Sequence, residues 1–189
     1  MSRGLLGYML SLLFSLIWGF WTAKDRFAER VLIPVLDVLQ SIPILGFMPG
    51  LVLSLVDLFP TSNKGLEMAA IAMVFTSQAW NMAFSVYHSI RIVPQDKLDC
   101  AKVYRFSTWQ RIRWVEFPYT IISLVWNSMM SMAGGWFFLV VTESFKLGSR
   151  DFRLPGLGSY MSVAAARGDL FAMFWAMMAM IRSEERRVG

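Results

Sequence analysis

Residues 98–118 read LDCAKVYRFSTWQRIRWVEFP, a polar and strongly basic stretch set between two long apolar runs. Its chemistry predicts a short helical hairpin. Pro94 suits a first-turn position, where a missing N–H costs nothing, and Asp96 and Asp99 complement the positive start of a helix. Arg105 falls near that helix's end, where cations are favoured. Ser107, followed three residues on by Gln110, fits a capping box and predicts a second short helix. Leu98, Ala101 and Tyr104 share one helical face, while lysines and arginines project elsewhere. An amphipathic loop lying on a lipid surface would have the same composition. The spacing goes further: an acid-x-Ala block at Asp99–Ala101, then Arg105, then a closing Val115-Glu116-Phe117-Pro118.

The runs on either side predict membrane spans. Leu5–Ala23 holds nineteen uncharged residues, enough for one spanning helix. It is long for the apolar part of a signal peptide, and Trp18, Phe20 and Trp21 sit poorly before a cleavage site. Lys24–Arg30 is a charged break. Val31–Phe59 is apolar but carries Pro34, Pro43, Pro49 and Gly50, so it cannot be one straight helix. It reads as an interfacial or kinked first part and a short span from about Ile44 to Phe59. Pro60–Gly65 is a turn. Leu66–Ile90 and Phe117–Val141 are further spans, separated by the basic loop over 91–117, and Glu143–Gly158 is an exposed polar loop. Leu170–Ile181 is apolar for only twelve residues. Extending it back to Tyr160 would put Arg167 and Asp169 at an awkward depth. The last helix therefore reads as cut short. One transmembrane domain, 1–181, is expected, with residues 182–189 set apart as a non-native or truncated tail.

Composition agrees with lipid as the solvent. The chain has 189 residues, 56% hydrophobic and 16% charged, with mean hydropathy +0.50. A soluble domain this size carries about a quarter charged residues and has too small a core to hide so much apolar surface. The net charge of +5 would suit nucleic-acid binding, but the cations flank apolar spans, where they set orientation instead. With the N-terminus outside and five alternating passes, twelve of the eighteen Lys and Arg fall inside and six outside. Without the tail the balance is nine to six. The loop at 91–117 is thereby expected in the cytoplasm.

The loop's spacing resembles a permease signature: Glu-Ala-Ala, three residues, Gly, nine residues, Ile-x-Leu-Pro. All the gaps match here, and Ala101 and Pro118 match in identity. Arg105 stands in the place of a glycine that permits the turn between the two helices, which opens the alternative that the turn falls at Phe106–Ser107. LDVLQSIPILGFMP (Leu36–Pro49), FTSQAWNMAFSVYHSI (Phe75–Ile90), WNSMMSMAGGWFF (Trp126–Phe138) and LPGLGSYM (Leu154–Met161) add to the likeness. From about Leu5 to Ile181 the chain resembles the binding-protein-dependent permease family of ABC importers. The likeness is to its nitrate/sulfonate/bicarbonate-type branch, and to long permeases in which two such units are fused.

The resemblance implies an all-α, polytopic protein of the bacterial inner membrane, with about five transmembrane helices in a type I importer arrangement. It implies a second permease unit, as a homodimer or fused pseudo-dimer, and an extracytoplasmic solute-binding protein that delivers a small solute, anionic in the nitrate branch. It further implies cytoplasmic ATPase subunits that use ATP, with no cofactor bound by the permease itself. Leu98, Asp99, Cys100, Ala101, Tyr104, Arg105, Ser107 and Trp109 would form the ATPase-coupling element. Arg105, Arg111 and Arg113 would either touch an acidic ATPase surface or simply obey the positive-inside rule.

Polar residues recur at helical spacing on two spans. Ser77 or Gln78, Asn81, Ser85 and His88 form one stripe, and Asn127, Ser131 and Gly134 or Gly135 another. Gln78, Asn81, Asn127 and Ser131 are the substrate-path candidates, and helix packing is the alternative account of each. With one His, one Cys and no phosphate-binding GxxxxGK run, the chain offers no metal site, no catalytic cluster and no ATPase of its own. A proton- or ion-coupled secondary transporter is the alternative function. Asp37, Asp57, Glu67, Glu116 and Glu143 could serve a relay, but all except Asp37 fall near span ends, where water is expected.

Overall fold

The computed structural model describes residues 2–60, 62–147 and 150–188. The first apolar run is one helix, α1 (Ser2–Lys24), stopped by Asp25. The Asp25 carboxylate accepts the Phe27 N–H at 2.8 Å and so caps α2 (Arg26–Ser41). Of the three prolines that follow, Pro34 and Pro49 lie inside helices, and the break comes at Ile42–Pro43. There α3 (Ile44–Leu58) leaves α2 at 88°. The sequence places the start of this short segment correctly, but at 15 residues α3 rises only about 22 Å and cannot cross alone. The bent α2–α3 pair together makes the return.

Next comes α4 (Lys64–Arg91), and then the hairpin foreseen in the basic loop: α5 (Gln95–Val103) and α6 (Thr108–Arg111). A single π-turn at Ile112–Glu116 carries α6 without interruption into α7 (Phe117–Glu143). By length and apolar content, Arg3–Lys24 and Thr108–Glu143 are able to span a membrane, and the bent pair would make a third crossing. At 28 residues α4 is as long but less apolar, because it lies between α1 and α7 and protein rather than lipid covers much of it.

A repeat of small residues holds α1 to α4. Gly7, Ser11, Ser15 and Gly19 follow one another at intervals of four along one face of α1. Ser11 Oγ and Ser15 Oγ donate to Gly7 O and Ser11 O of α1 at 2.8 and 2.6 Å and stand 3.2 and 3.1 Å from Phe75 O and Ala79 O of α4. A Cβ at Gly7 would stand 2.8 Å from Val74 Cβ, and one at Gly19 would stand 2.6 Å from Val86 Cβ. The two helices therefore run parallel, in near backbone contact.

Ion pairs fix the direction of each element. Arg3 Nη2 meets Glu67 at 2.9 Å and Nη1 meets Glu143 at 3.7 Å, which puts the starts of α1 and α4 and the end of α7 at one end. Lys24 pairs with Glu116 and Arg91 with Glu29 at the other. The chain therefore alternates as the cation count requires, with the basic hairpin at the end where α1 and α4 finish.

The segment after α7 is more structured than the exposed loop the sequence suggests. β1 (Ser144–Leu147) and β2 (Arg150–Arg153) pair antiparallel, with Phe145 opposite Phe152. Leu154 is fully buried, and its N–H returns to Glu143 O at 3.0 Å. Ser159 Oγ closes the same corner, donating to Glu143 O at 2.7 Å. Residues 157–167 form α8 (Leu157–Arg167), which ends at Gly168 in the left-handed conformation, φ 68°. α9 (Leu170–Val188) follows and is apolar through Arg182. Arg167 is the last residue of α8 and Asp169 lies in the turn between α8 and α9, and both are exposed.

Candidate functional site: the loop hairpin and the α4–α7 seam

The hairpin projects from the loop end of the bundle. Pro94 caps the helix rather than lying in its first turn, and Asp96 alone of the two acids lies in that turn. Asp99 pairs with Lys102 at 2.7 Å on the exposed side. Ala101 is buried and Leu98 half-buried, whereas Tyr104 is 75% exposed. The three do not form one packed face, because α5 ends at Val103 and Tyr104 already belongs to the turn. A groove of about 350 Å³ lies between α5 and the start of α7, lined by Ala101, Tyr104, Phe106, Trp114, Val115 and Tyr119. Lys97 Nζ sits 4.6 Å from the Tyr119 ring centre.

The turn falls at Arg105 itself. Phe106 N–H donates to Ala101 O and Arg105 N–H to Lys102 O, each at 2.9 Å, and Arg105 has φ 51°. This is a Schellman closure with arginine in the position glycine usually holds. The alternative turn at Phe106–Ser107 is thus corrected: Ser107 is extended and caps α6. Both bonds of the capping box form, Gln110 N–H to Ser107 Oγ at 3.3 Å and Ser107 N–H to Gln110 Oε1 at 2.8 Å. Asp99, Cys100, Val103, Tyr104, Arg105, Ser107 and Trp109 are left exposed on one compact knob.

All four path candidates meet at one seam. Asn81 Nδ2 donates to Ser131 Oγ at 2.9 Å and lies 3.4 Å from Asn127 Oδ1. Asn127 Nδ2 donates to Ser85 Oγ at 2.9 Å, and Gln78 Nε2 reaches Ser131 O at 3.4 Å. Gln78 is 1% exposed and Ser131 is buried, both between α4 and α7, and Gln78 Oε1 finds no partner there. Gln78 lies across from Gly135, where a Cβ would come within 2.1 Å of its amide nitrogen. Asn81 is exposed and Asn127 half-exposed, at the rim of the seam. His88, also on α4, is exposed and stacks on Phe84.

Two acids differ from the sequence expectation. Glu116 and Glu143 stand at the ends of α7, but neither reaches water: they are 3% and 2% exposed. The Glu116 carboxylate holds Lys24 and Arg111. The Glu143 carboxylate accepts the Gly158 N–H at 2.7 Å, at the start of α8, with Arg3 beside it. A Cβ at Gly156 would come within 2.2 Å of the carboxylate atoms of Glu143, so the Pro-Gly-Leu-Gly corner closes over that side chain only without one. Sequence reading missed both clusters, and also the Gly7-Ser11-Ser15-Gly19 repeat, whose period of four was there to find.

The hairpin thus joins two antiparallel helices, α4 and α7, at the loop end of the bundle. The family model described as binding-protein-dependent transport system inner membrane component matches residues 12–182. The chain belongs to this family. It is a multi-pass inner-membrane protein with the type I ABC permease fold. Over 93% of its length it is 28% identical to a probable ABC transporter permease protein of Haemophilus influenzae. Over 77% it is 24% identical to the nitrate import permease protein NrtB of Synechococcus elongatus, and over 76% it is 21% identical to NrtB of Synechocystis. The chain spans 66%, 50% and 49% of the lengths of those relatives.

Proposed function

We propose that the chain is the membrane unit of an ATP-driven importer that pairs with a second permease unit and takes a small anion from an extracytoplasmic binding protein. Cytoplasmic ATPase subunits hydrolyse the ATP, and the chain itself carries out no covalent chemistry. The observation that carries this reading is the Leu98–Trp109 knob. Its backbone is closed by a Schellman turn and a capping box, while Val103, Tyr104 and Trp109 stay 68–80% exposed. A basic knob that leaves Val103, Tyr104 and Trp109 uncovered is suited to a protein partner. Arg105 at its tip supplies a cation for an acidic cleft. The anion class rests on the nitrate import permeases among the relatives. Asn81 and Asn127, on the rim of the seam, are assigned to the path; Gln78 and Ser131 are assigned to packing.

Co-purification with the ATPase subunits tests the assignment. Ala101→Leu, which must lift α5 from the bundle, should uncouple ATP hydrolysis from uptake more severely than Asp99→Ala, which removes only an exposed ion pair. Uptake that survives loss of the ATPase but collapses with the proton gradient would assign the chain to secondary transport instead.

A further inference from the structure

Glu116 lies where three elements meet. Arg111 ends α6, Lys24 ends α1, and Glu116 itself closes the π-turn that leads into α7. The π-turn is what makes this possible. Residues five apart on an α-helix stand about 140° from each other, so Arg111 and Glu116 would face different sides. A turn closed five residues apart, with Phe117 N–H on Ile112 O, stacks them instead. Arg111 Nε then stands 3.1 Å from Glu116 Oε1, and Lys24 Nζ bonds to the same oxygen. The carboxylate is 97% buried, so losing a cation would leave its charge poorly compensated.

Little else joins α1 to α7, because α4 separates them along their length. Their far ends are tied by a second buried acid of α7, Glu143, and by Arg3 of α1. α1 is thus packed on α4 along its length and meets α7 carboxylates at both ends, and among the described residues Lys24 is its ion-pair contact with Glu116 at the foot of the hairpin.

On the reading of the hairpin as the ATPase dock, we propose that Glu116 and Lys24 are positioning residues that make α1 follow the hairpin when ATP closes the ATPase pair. Motion of the hairpin passes to α4 and α7 through the backbone and to α1 along its packing on α4, and the Arg111–Glu116–Lys24 link ties the loop end of α1 directly to the π-turn. Without the link the loop end of α1 is placed by α4 alone and slips against α7.

The full-length permease–ATPase complex in nanodiscs, with Cys100→Ser and spin labels at Trp21→Cys on α1 and Arg113→Cys on the π-turn, provides the test. Their separation should be the same in nucleotide-free and vanadate-trapped complexes, as expected of a rigid link. In Lys24→Met it should shift by about 5 Å between the two states, the scale of one turn of helix slippage. Glu116→Gln should give the same shift, the double variant no more, and Lys24→Arg none. Solute moved per ATP should fall about fivefold in Lys24→Met and recover in Lys24→Arg. A separation that already changes in the parent complex, one that stays fixed in both single variants, or a Lys24→Arg that behaves like Lys24→Met would overturn the proposal. A parent complex that binds no ATPase would instead remove the functional reading beneath it.

Discussion

Arg105 shows how a backbone demand can be met against residue preference. At φ 51° its Cβ crowds the neighbouring backbone, which costs about 1–2 kcal/mol in a residue other than glycine. The same closure at the end of α8 uses Gly168 at φ 68° with no such cost. Two bonds of 2.9 Å and the capping box of Ser107 hold Arg105 in place. Arg105→Gly should therefore be more stable than Arg105→Ala by about 1 kcal/mol, measured by thermal unfolding in detergent. Both variants lose the charge and only one relieves the backbone, so equal stabilities would mean that the left-handed turn does not form. A loss of coupling in both variants would assign the guanidinium, rather than the turn, to the partner.

Among the elements, α1 and α4 approach most closely through small side chains. In lipid no hydrophobic force drives helices together, so close packing and contacts such as Ser15 Oγ with Ala79 O must do so. Gly19→Leu would drive its side chain into Val86 and should cost about 1–3 kcal/mol of stability or more. Gly134→Leu, where nothing lies within 4 Å of an added Cβ, should leave the melting temperature nearly unchanged. Comparison of the two by thermal unfolding in detergent separates helix packing from a general intolerance of bulk. The α4–α7 seam works differently, through amide and hydroxyl bonds around Gln78, Asn81, Asn127 and Ser131.

For the whole molecule the seam poses the question of what is wet. In a Cys100→Ser background, Asn81→Cys and Asn127→Cys should react with a charged, water-soluble thiol reagent in the assembled transporter, and Gln78→Cys should not. The burial of Gln78 at 1% exposure decides the last of these. Equal protection at all three positions would assign the whole seam to packing. Buried acids lie at both ends of the bundle, Glu143 with Arg3 at one and Glu116 with Lys24 at the other, so α1 and α7 are braced across α4 at each end.

By itself the sequence determined the membrane class, the order of the helical segments, the basic hairpin and its capping box, and the family resemblance. These follow from composition and from interactions a few residues long, such as Ser107 with Gln110, which a linear pattern records directly. Of the five passes it suggested, two helices are long and apolar enough to span, or three with the bent pair. It also placed Gln78, Asn81, Asn127 and Ser131 on two stripes. Only the tertiary structure brought those stripes together and divided them into buried and rim positions, because burial depends on which helix lies opposite. The partners of Glu116 and Glu143 were equally out of reach. Lys24 and Glu116 are 92 residues apart in the chain, and a π-turn that no local preference announces aims the carboxylate inward. The turn at Arg105 was decided in the same way: residue preference argued for moving it, and the closure of α5 onto α6 kept it there.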